Sequence, residues 1–522
     1  MRCINMFRQL SVIPSSLLLT LALVLCLLSM SSSAQEQALR DRWVEVSTAN
    51  FQIFSQRSMR QTNRIATELE IWRQAAAFTI SGGDFPPANV PNQIFLFDDV
   101  ATLQTFVATN DSAFFAPSPR ANYLALAFDE EGSISLGFHH YVHFLVRNFS
   151  DLRLPRWYEE GLAGYIARMQ VDGDEVEFDR FSRSGNEGFI PLSESLSMER
   201  LLYSDDALAS PRLIQIANLK SSSLLHYFLH AYEEEGFVDR RSQLRGYLEY
   251  LLEGRNPRYA YDRAFDVTTA QLDEEFHNYL LTSSRPAGTV LTGALDEVAP
   301  LSSSAIEGAP LTLALGELAL NSGNFEVAQM LFELTTEQDA DLARGFSGVG
   351  DALRMAEVEG MDQRIASYFI QAAEMAPQDV NILLDYGEYW EAELENCEKI
   401  WPDPQRRAIS DDILHHFQRA VQLNPHSPEA NLAMGEYFLL PGANWAEGVD
   451  YQRRAFDLLP ADTFIMEQAV RYAIAADNYE EAERLISELA QPIHYFGEPG
   501  WVTDLRERLL RKRRGEPYNE CG

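Results

Sequence analysis

Three side chains between positions 139 and 160 have the types and the spacing that hold a metal ion. The run Phe138-His139-His140-Tyr141-Val142-His143-Phe144-Leu145-Val146-Arg147-Asn148 reads as a helix. His139 and His143 are four residues apart, so both imidazoles leave one face of that helix one turn apart. Two ring nitrogens so placed can meet one Zn²⁺ at about 2.0–2.1 Å. Glu160 lies 17 residues beyond His143, in Leu154-Pro155-Arg156-Trp157-Tyr158-Glu159-Glu160-Gly161-Leu162-Ala163-Gly164-Tyr165. Pro155 suits the first turn of a second helix, which can fold back on the first. Two histidines and a carboxylate from a second helix form a catalytic zinc set with the fourth position open for water. A His-x-x-x-His pair alone is ordinarily a chance surface or core pair; the second segment gives it weight. Arg156 and Tyr165 are neighbours without an assigned role.

Those helices need a scaffold, and residues 35–282 supply the pattern of one. Val44 to Phe54 alternates as a strand; Gln93–Phe97 and Tyr123–Phe128 read as buried strands. Between the first two, Met59 to Phe78 places Ile65, Leu69, Trp72 and Ala76 three or four apart, as a helix does. Helical segments follow from about 136 to 282. The expected fold is α+β, a small sheet followed by helices. Residues 283–309, rich in Ser, Gly, Pro and Ala, read as a linker.

Beyond the linker the chain repeats itself. Small residues recur at Gly316, Gly350, Gly387, Gly435 and Ala469, at intervals of 34, 37, 48 and 34. Ala-x-x-apolar-x-Pro occurs at Ala372–Pro377, Ala420–Pro425 and Ala455–Pro460, and Asn324-Phe325-Glu326-Val327-Ala328 is echoed by Asn478-Tyr479-Glu480-Glu481-Ala482. This period resembles tetratricopeptide repeats, about five of them over 310–494, with an insertion around Glu393–Arg407 and a C-terminal capping helix and tail over 495–522. The resemblance implies an all-α solenoid whose concave face binds proteins or peptides.

The N-terminal half resembles the gluzincin metallopeptidases, specifically the peptidase-MA-like domains found in exported bacterial proteins with tetratricopeptide repeats. Their first helix carries His-Glu-x-x-His; their second carries Trp-x-x-Glu-Gly-x-Ala, matched here by Trp157, Glu160, Gly161 and Ala163. The likeness covers residues 43 to 282, with Leu224–Leu229, Tyr247–Gly254, Ala264-Phe265 and Leu272–Leu280 similar to that family's helical tail. It implies zinc as cofactor and His139, His143 and Glu160 as its ligands. The family's catalytic glutamate, which takes a proton from water activated by the metal, is replaced by His140. Loss of a positioned general base costs about 10²–10⁴-fold in rate. A second departure is Gly164, where relatives more often carry an acidic residue. The resemblance therefore implies a metallopeptidase-like protein that is inactive or weakly active and works through protein contacts. The alternative is an active zinc-dependent endopeptidase or aminopeptidase whose repeats recruit protein substrates.

The start of the chain reads as an address. Arg2 and Arg8 precede an apolar run from Leu17 to Leu28, and Ser32 and Ala34 precede a cleavage point before Gln35. Residues 1–34 are expected to be a secretory signal peptide, and the mature chain to be periplasmic or secreted, without a membrane span. The full chain of 522 residues has 42 Lys+Arg against 77 Asp+Glu, a net charge of −35. Such a polyanion disfavours nucleic acid and anionic lipid as partners. Cys397 and Cys521 alone remain after cleavage, which excludes a disulfide-rich scaffold and leaves one bridge or two thiols. His226 and His230, also four apart, sit in an apolar run and read as packing residues.

Overall fold

The computed structural model describes residues 37–128, 133–149, 154–172, 175–178, 196–203, 210–282, 288–291, 300–358, 360–490 and 499–516. The signal segment expected over 1–34 lies outside the described residues.

The molecule is mostly helical, with a six-stranded sheet near its start. The strands are β1 (Trp43–Ser47), β2 (Phe51–Ser55), β3 (Asn92–Phe97), β4 (Ala113–Ala116) and β5 (Asn122–Ala127), then β6 (Gln170–Asp172), β7 (Glu175–Phe178), β8 (Gly288–Leu291) and β9 (Ser302–Ile306). The main sheet runs β4-β5-β3-β2-β1-β9; β6, β7 and β8 form a small antiparallel sheet. Within the main sheet β2, β3 and β5 are parallel and the other neighbours antiparallel.

Two sequence expectations change here. The single strand over 44–54 is a hairpin. Its turn is held by Thr48, whose Oγ1 accepts from the Phe51 amide and donates to buried Glu70, while Asn50 N–H also donates to Glu70. The segment 283–309, expected as a linker, contributes β8 and β9. The Ser302-Ser303-Ser304-Ala305-Ile306 strand has almost no apolar alternation, and its pairing with β1 (Trp43 opposite Ile306) is visible only in three dimensions.

Central strands are buried on both faces. Ile53, Ile94, Leu96, Leu124 and Leu126 join one core; Phe54, Phe95, Phe97, Tyr123 and Ala125 join another. The first core is roofed by α1 (Met59–Ser81), then α2 (Val100–Phe106) sits on the opposite face, and α3 (Ser133–Phe149) and α4 (Arg156–Ile166) return to the first. Ser58 and Gln61 form a capping box that starts α1, and Gly82 at φ 73° ends it. α5 (Met198–Tyr203), α6 (Pro211–His230), α7 (Arg241–Leu252), α8 (Pro257–Ala264) and α9 (Thr269–Thr282) complete this half.

The second face of the sheet is covered by the start of the solenoid. Five helix pairs follow: α10 (Ala309–Asn321) with α11 (Phe325–Gln338), α12 (Ala343–Met355) with α13 (Asp362–Met375), α14 (Val380–Glu395) with α15 (Asp403–Leu423), α16 (Pro428–Leu439) with α17 (Trp445–Leu458), and α18 (Thr463–Ala475) with α19 (Tyr479–Leu489). This stacking of helix pairs is the arrangement expected of tetratricopeptide repeats. The recurring glycines sit where helices cross: a Cβ at Gly316 would lie 2.9 Å from Phe332, at Gly350 2.9 Å from Phe369, and at Gly387 2.2 Å from Phe417. The first helices of successive pairs also pack on one another, making the inner layer of the superhelix. The extra length expected around Glu393–Arg407 falls on the loop before α15 and on α15 itself; Cys397 in that loop is disulfide-bonded. α20 (Gly500–Arg513) closes the far end, packing Val502, Leu505 and Leu509 against α18 and α19.

The two halves share a core. Trp43, Phe95 and Phe106 of the sheet side cluster with Leu311, Leu315, Leu331 and Phe332 of the first repeat. Farther along, Val90 packs with Ala455, Leu459 and Ile465, and the Ala461 amide donates to Asn148 at the end of α3. A buried ion network adds to this. Arg120, in the β4–β5 loop, donates to both oxygens of Glu429 (2.8 and 3.0 Å) and to Asp385 (2.8 Å). Arg344 on α12 bridges Glu317, Asp351 and Asp385. One chain of charges thus ties α10, α12, α14 and α16 to the sheet.

Candidate metal centre

α3 lies against the sheet through Phe138, Tyr141, Val142, Leu145 and Val146. Gly137 allows that closeness: a Cβ there would lie 2.3 Å from Leu126. Trp72 of α1 stacks on Phe138 with ring centroids 4.6 Å apart. With this side committed to the core, His139, His143 and Arg147, at i, i+4 and i+8, form a line along another side of the helix.

α4 meets that line. Pro155 caps it, and every residue from Glu159 to Ile166 is buried. It is pressed onto α6 at Gly161, where a Cβ would stand 2.8 Å from the Ser221 carbonyl oxygen. The glycine after Glu160 therefore sets how deeply Glu160 can enter. Gly161→Ala is expected to destabilise the fold by about 1–3 kcal/mol through overpacking. Thermal unfolding measures this; an unchanged melting temperature would mean that α4 and α6 do not approach so closely. Gly164 is also confined, with a Cβ 3.1 Å from Ser222 Cβ, so a side chain there would have to shift Ser222.

The structure brings His139, His143 and Glu160 together. His139 Nε2 and His143 Nε2 are 3.2 Å apart; Glu160 Oε2 is 3.2 Å from His139 Nε2 and 3.9 Å from His143 Nε2. Donor atoms around an ion at 2.0–2.1 Å in tetrahedral geometry are separated by about 3.3 Å. These three groups could hold one metal ion. Glu160 is 1% exposed and His143 4%.

Glu159, whose importance the sequence did not reveal, backs the site. Its Oε1 accepts from His143 Nδ1 at 3.2 Å and from Arg147 Nε at 2.7 Å, and its Oε2 accepts from the other arm of Arg147. Burial pushes the Glu159 carboxyl up, but the His143 hydrogen bond and the Arg147 charge overcome it and hold it down at about 2. A carboxylate on Nδ1 fixes the tautomer of His143 so that the Nε2 lone pair faces His139 and Glu160. The available signal was Arg147, one turn beyond His143, and the doubled Glu159-Glu160.

Burial lowers the basicity of His139, opposed by its contact with Glu160. His140 is lowered to about 4, first by burial and then by His139 and His143. His140 directly follows His139 on a helix, Ser133–Phe149, that contains no aspartate or glutamate. Tyr165 is engaged elsewhere, its hydroxyl 2.7 Å from His230 Nε2, while His230 Nδ1 meets Glu233. His226 meets the Tyr279 hydroxyl at 2.9 Å. Both histidines are buried, as their apolar context predicts, but they are also hydrogen-bonded, and His230 meets a carboxylate that the sequence reading did not assign to it.

No protein-family model matches the chain, and no curated protein matches it. Among solved structures, TTC0263, a thermophilic TPR protein of Thermus thermophilus, is 14% identical and covers 40% of this chain and 99% of its own, with a TM-score of 0.32. The pilF protein of Pseudomonas aeruginosa is 15% identical over 40% of this chain and 84% of its own, TM-score 0.31. YrrB, a TPR protein described as having an unusual peptide-binding site, is 17% identical over 40% of this chain and 92% of its own, TM-score 0.26. The helix pairs and their small residues, rather than these likenesses, carry the repeat assignment.

Proposed function

We propose that the chain is an exported, metallopeptidase-like protein that holds zinc at His139, His143 and Glu160 and works chiefly through protein contacts made by its repeats. The observation that carries the metal reading is the spacing of the three donor atoms, 3.2, 3.2 and 3.9 Å, in a buried pocket backed by Glu159 and Arg147. Zinc bound there would supply Lewis acidity and lower the proton affinity of water. The chain's own groups support that chemistry only in part. Glu160 is used as a ligand, and Glu159 is used to orient His143. α3 has no carboxylate of its own to accept a proton beside the metal. An imidazole at 140 has a rigid ring and a different reach, so peptide hydrolysis is expected to be weak or absent.

The test is His140→Glu in the chain spanning residues 35 to 522, assayed on a fluorescently labelled unfolded protein. The variant is expected to hydrolyse it at least ~10²-fold faster than wild type, the lower end of a general base's contribution. His143→Ala in the same background should abolish the gain. Robust cleavage by the wild type that disappears in His143→Ala would overturn the inactive reading and leave an active zinc peptidase.

A further inference from the structure

The sheet and the inner layer of the repeats do not close completely on one another. Between them lies a cleft of about 740 Å³, bounded on the sheet side by Glu45, Gln52, Gln93 and Tyr123 and on the repeat side by Glu317, Arg344 and Glu429. Its size is that of a small-ligand or side-chain pocket. We infer that this cleft binds a cationic segment of a partner protein, with an arginine or lysine side chain entering between the sheet and the repeats.

The lining selects a hydrogen-bond donor. Gln52, Gln93 and Tyr123 are directly opposite one another across β2, β3 and β5, so they form one row across the face that meets the repeats. Gln52 Nε2 donates to Glu45, and Gln93 Nε2 to Gln52 Oε1. That relay leaves Gln93 Oε1 buried as an acceptor with no hydrogen-bond partner. Next to it, Tyr123 is 2% exposed, lines the cleft, and its hydroxyl makes no hydrogen bond among the described residues. A buried acceptor and a hydroxyl with no hydrogen bond among the described residues, both on side chains that line the cleft, are satisfied by a ligand that donates.

The charge favours a cation. Glu45, Glu317, Asp341, Asp379 and Glu429 line the cleft, against Arg120 and Arg344. Both arginines are already ion-paired, Arg120 to Asp385 and Glu429 and Arg344 to Glu317, Asp351 and Asp385. Arg120 also shows what this wall accepts: a guanidinium from outside the solenoid seated between carboxylates of two inner helices.

This inference rests on reading the repeats as a protein-contact module but not on the metal. It is tested by fluorescence anisotropy on the chain spanning residues 35 to 522, with two labelled peptides of about ten residues, one alternating Ser and Arg, the other Ser and Glu. The arginine peptide is expected to bind, and Tyr123→Phe and Glu45→Gln each to weaken it at least ~5-fold while melting temperatures stay near wild type. Glu447→Gln, on the outer helix α17 and away from the cleft, should change binding less than ~2-fold, which separates the site from the long-range attraction of a chain with net charge −35. Equal losses in all three variants would overturn the cleft as the site, and equal binding of the glutamate peptide would overturn the cationic choice, both leaving protein contact by the repeats intact. No binding of either peptide at ~1 mM would overturn both.

Discussion

Purified chain spanning residues 35 to 522 is expected to carry about one zinc per molecule, and His139→Ala, His143→Ala and Glu160→Ala each to lose it. Elemental mass spectrometry after dialysis reads this directly. Each substitution removes one of the three donors that lie 3.2–3.9 Å apart, the set that among the described residues could hold the ion. Glu159→Gln is expected to behave differently. It keeps the shape but removes the charge that holds His143 Nδ1–H and Arg147, so zinc affinity should fall about 10–100-fold rather than vanish. His226→Ala, which breaks the other i, i+4 histidine pair, should leave the metal content unchanged. Metal at about 100 times its Kd should also raise stability by about 2.7 kcal/mol in the wild type and not in His143→Ala. A wild type free of metal after zinc is supplied would leave the three groups as a histidine-carboxylate cluster and remove the metal from the proposed function.

Much of this site was legible because its parts are local. Histidines four apart share a helix face whatever the fold, and Trp157, Glu160 and Gly161 mark a helix that must pack closely. The glycine at 161 could be read as a motif letter, but its reason, the Ser221 carbonyl at 2.8 Å, belongs to a helix some sixty positions away. Glu159 was hidden for the same cause. It and Glu160 are adjacent acids in sequence, and only the approach of α3 makes one a candidate ligand and the other a support. The repeats were legible because small residues must recur where helices cross. β9 was not, since five residues of Ser-Ser-Ser-Ala-Ile carry no strand periodicity, and their partner is some 260 positions earlier. The docking of the solenoid on the sheet was equally invisible. Strands buried on both faces read as strands, but nothing in them says that the second cover is the repeat array.

That docking leads to the other large expected effect. Arg120→Ala is expected to destabilise the protein by about 3–5 kcal/mol, the cost of breaking a buried ion pair by deleting one partner. Its guanidinium is the sheet's contribution to the network, with Asp385 2% exposed at the side chain and Glu429 12%. Among the described residues, removing it leaves Glu429 with no cation in contact and Asp385 with Arg344 alone. Arg120→Lys should recover only part of the loss, because one ammonium cannot reproduce Nε and Nη2 donors directed at two carboxylates. Arg120→Met combined with Glu429→Met should recover more, since both charges then leave the interior together. Urea unfolding of the four proteins gives these differences, and high salt should change the ranking little because the groups are buried. The shared core around Phe95, Phe106, Leu315 and Phe332 further predicts that sheet and repeats unfold in one transition. If Arg120→Ala lies within about 1 kcal/mol of wild type, and calorimetry resolves two transitions, then the sheet and the solenoid are independent bodies in solution and the network contributes contact without cohesion.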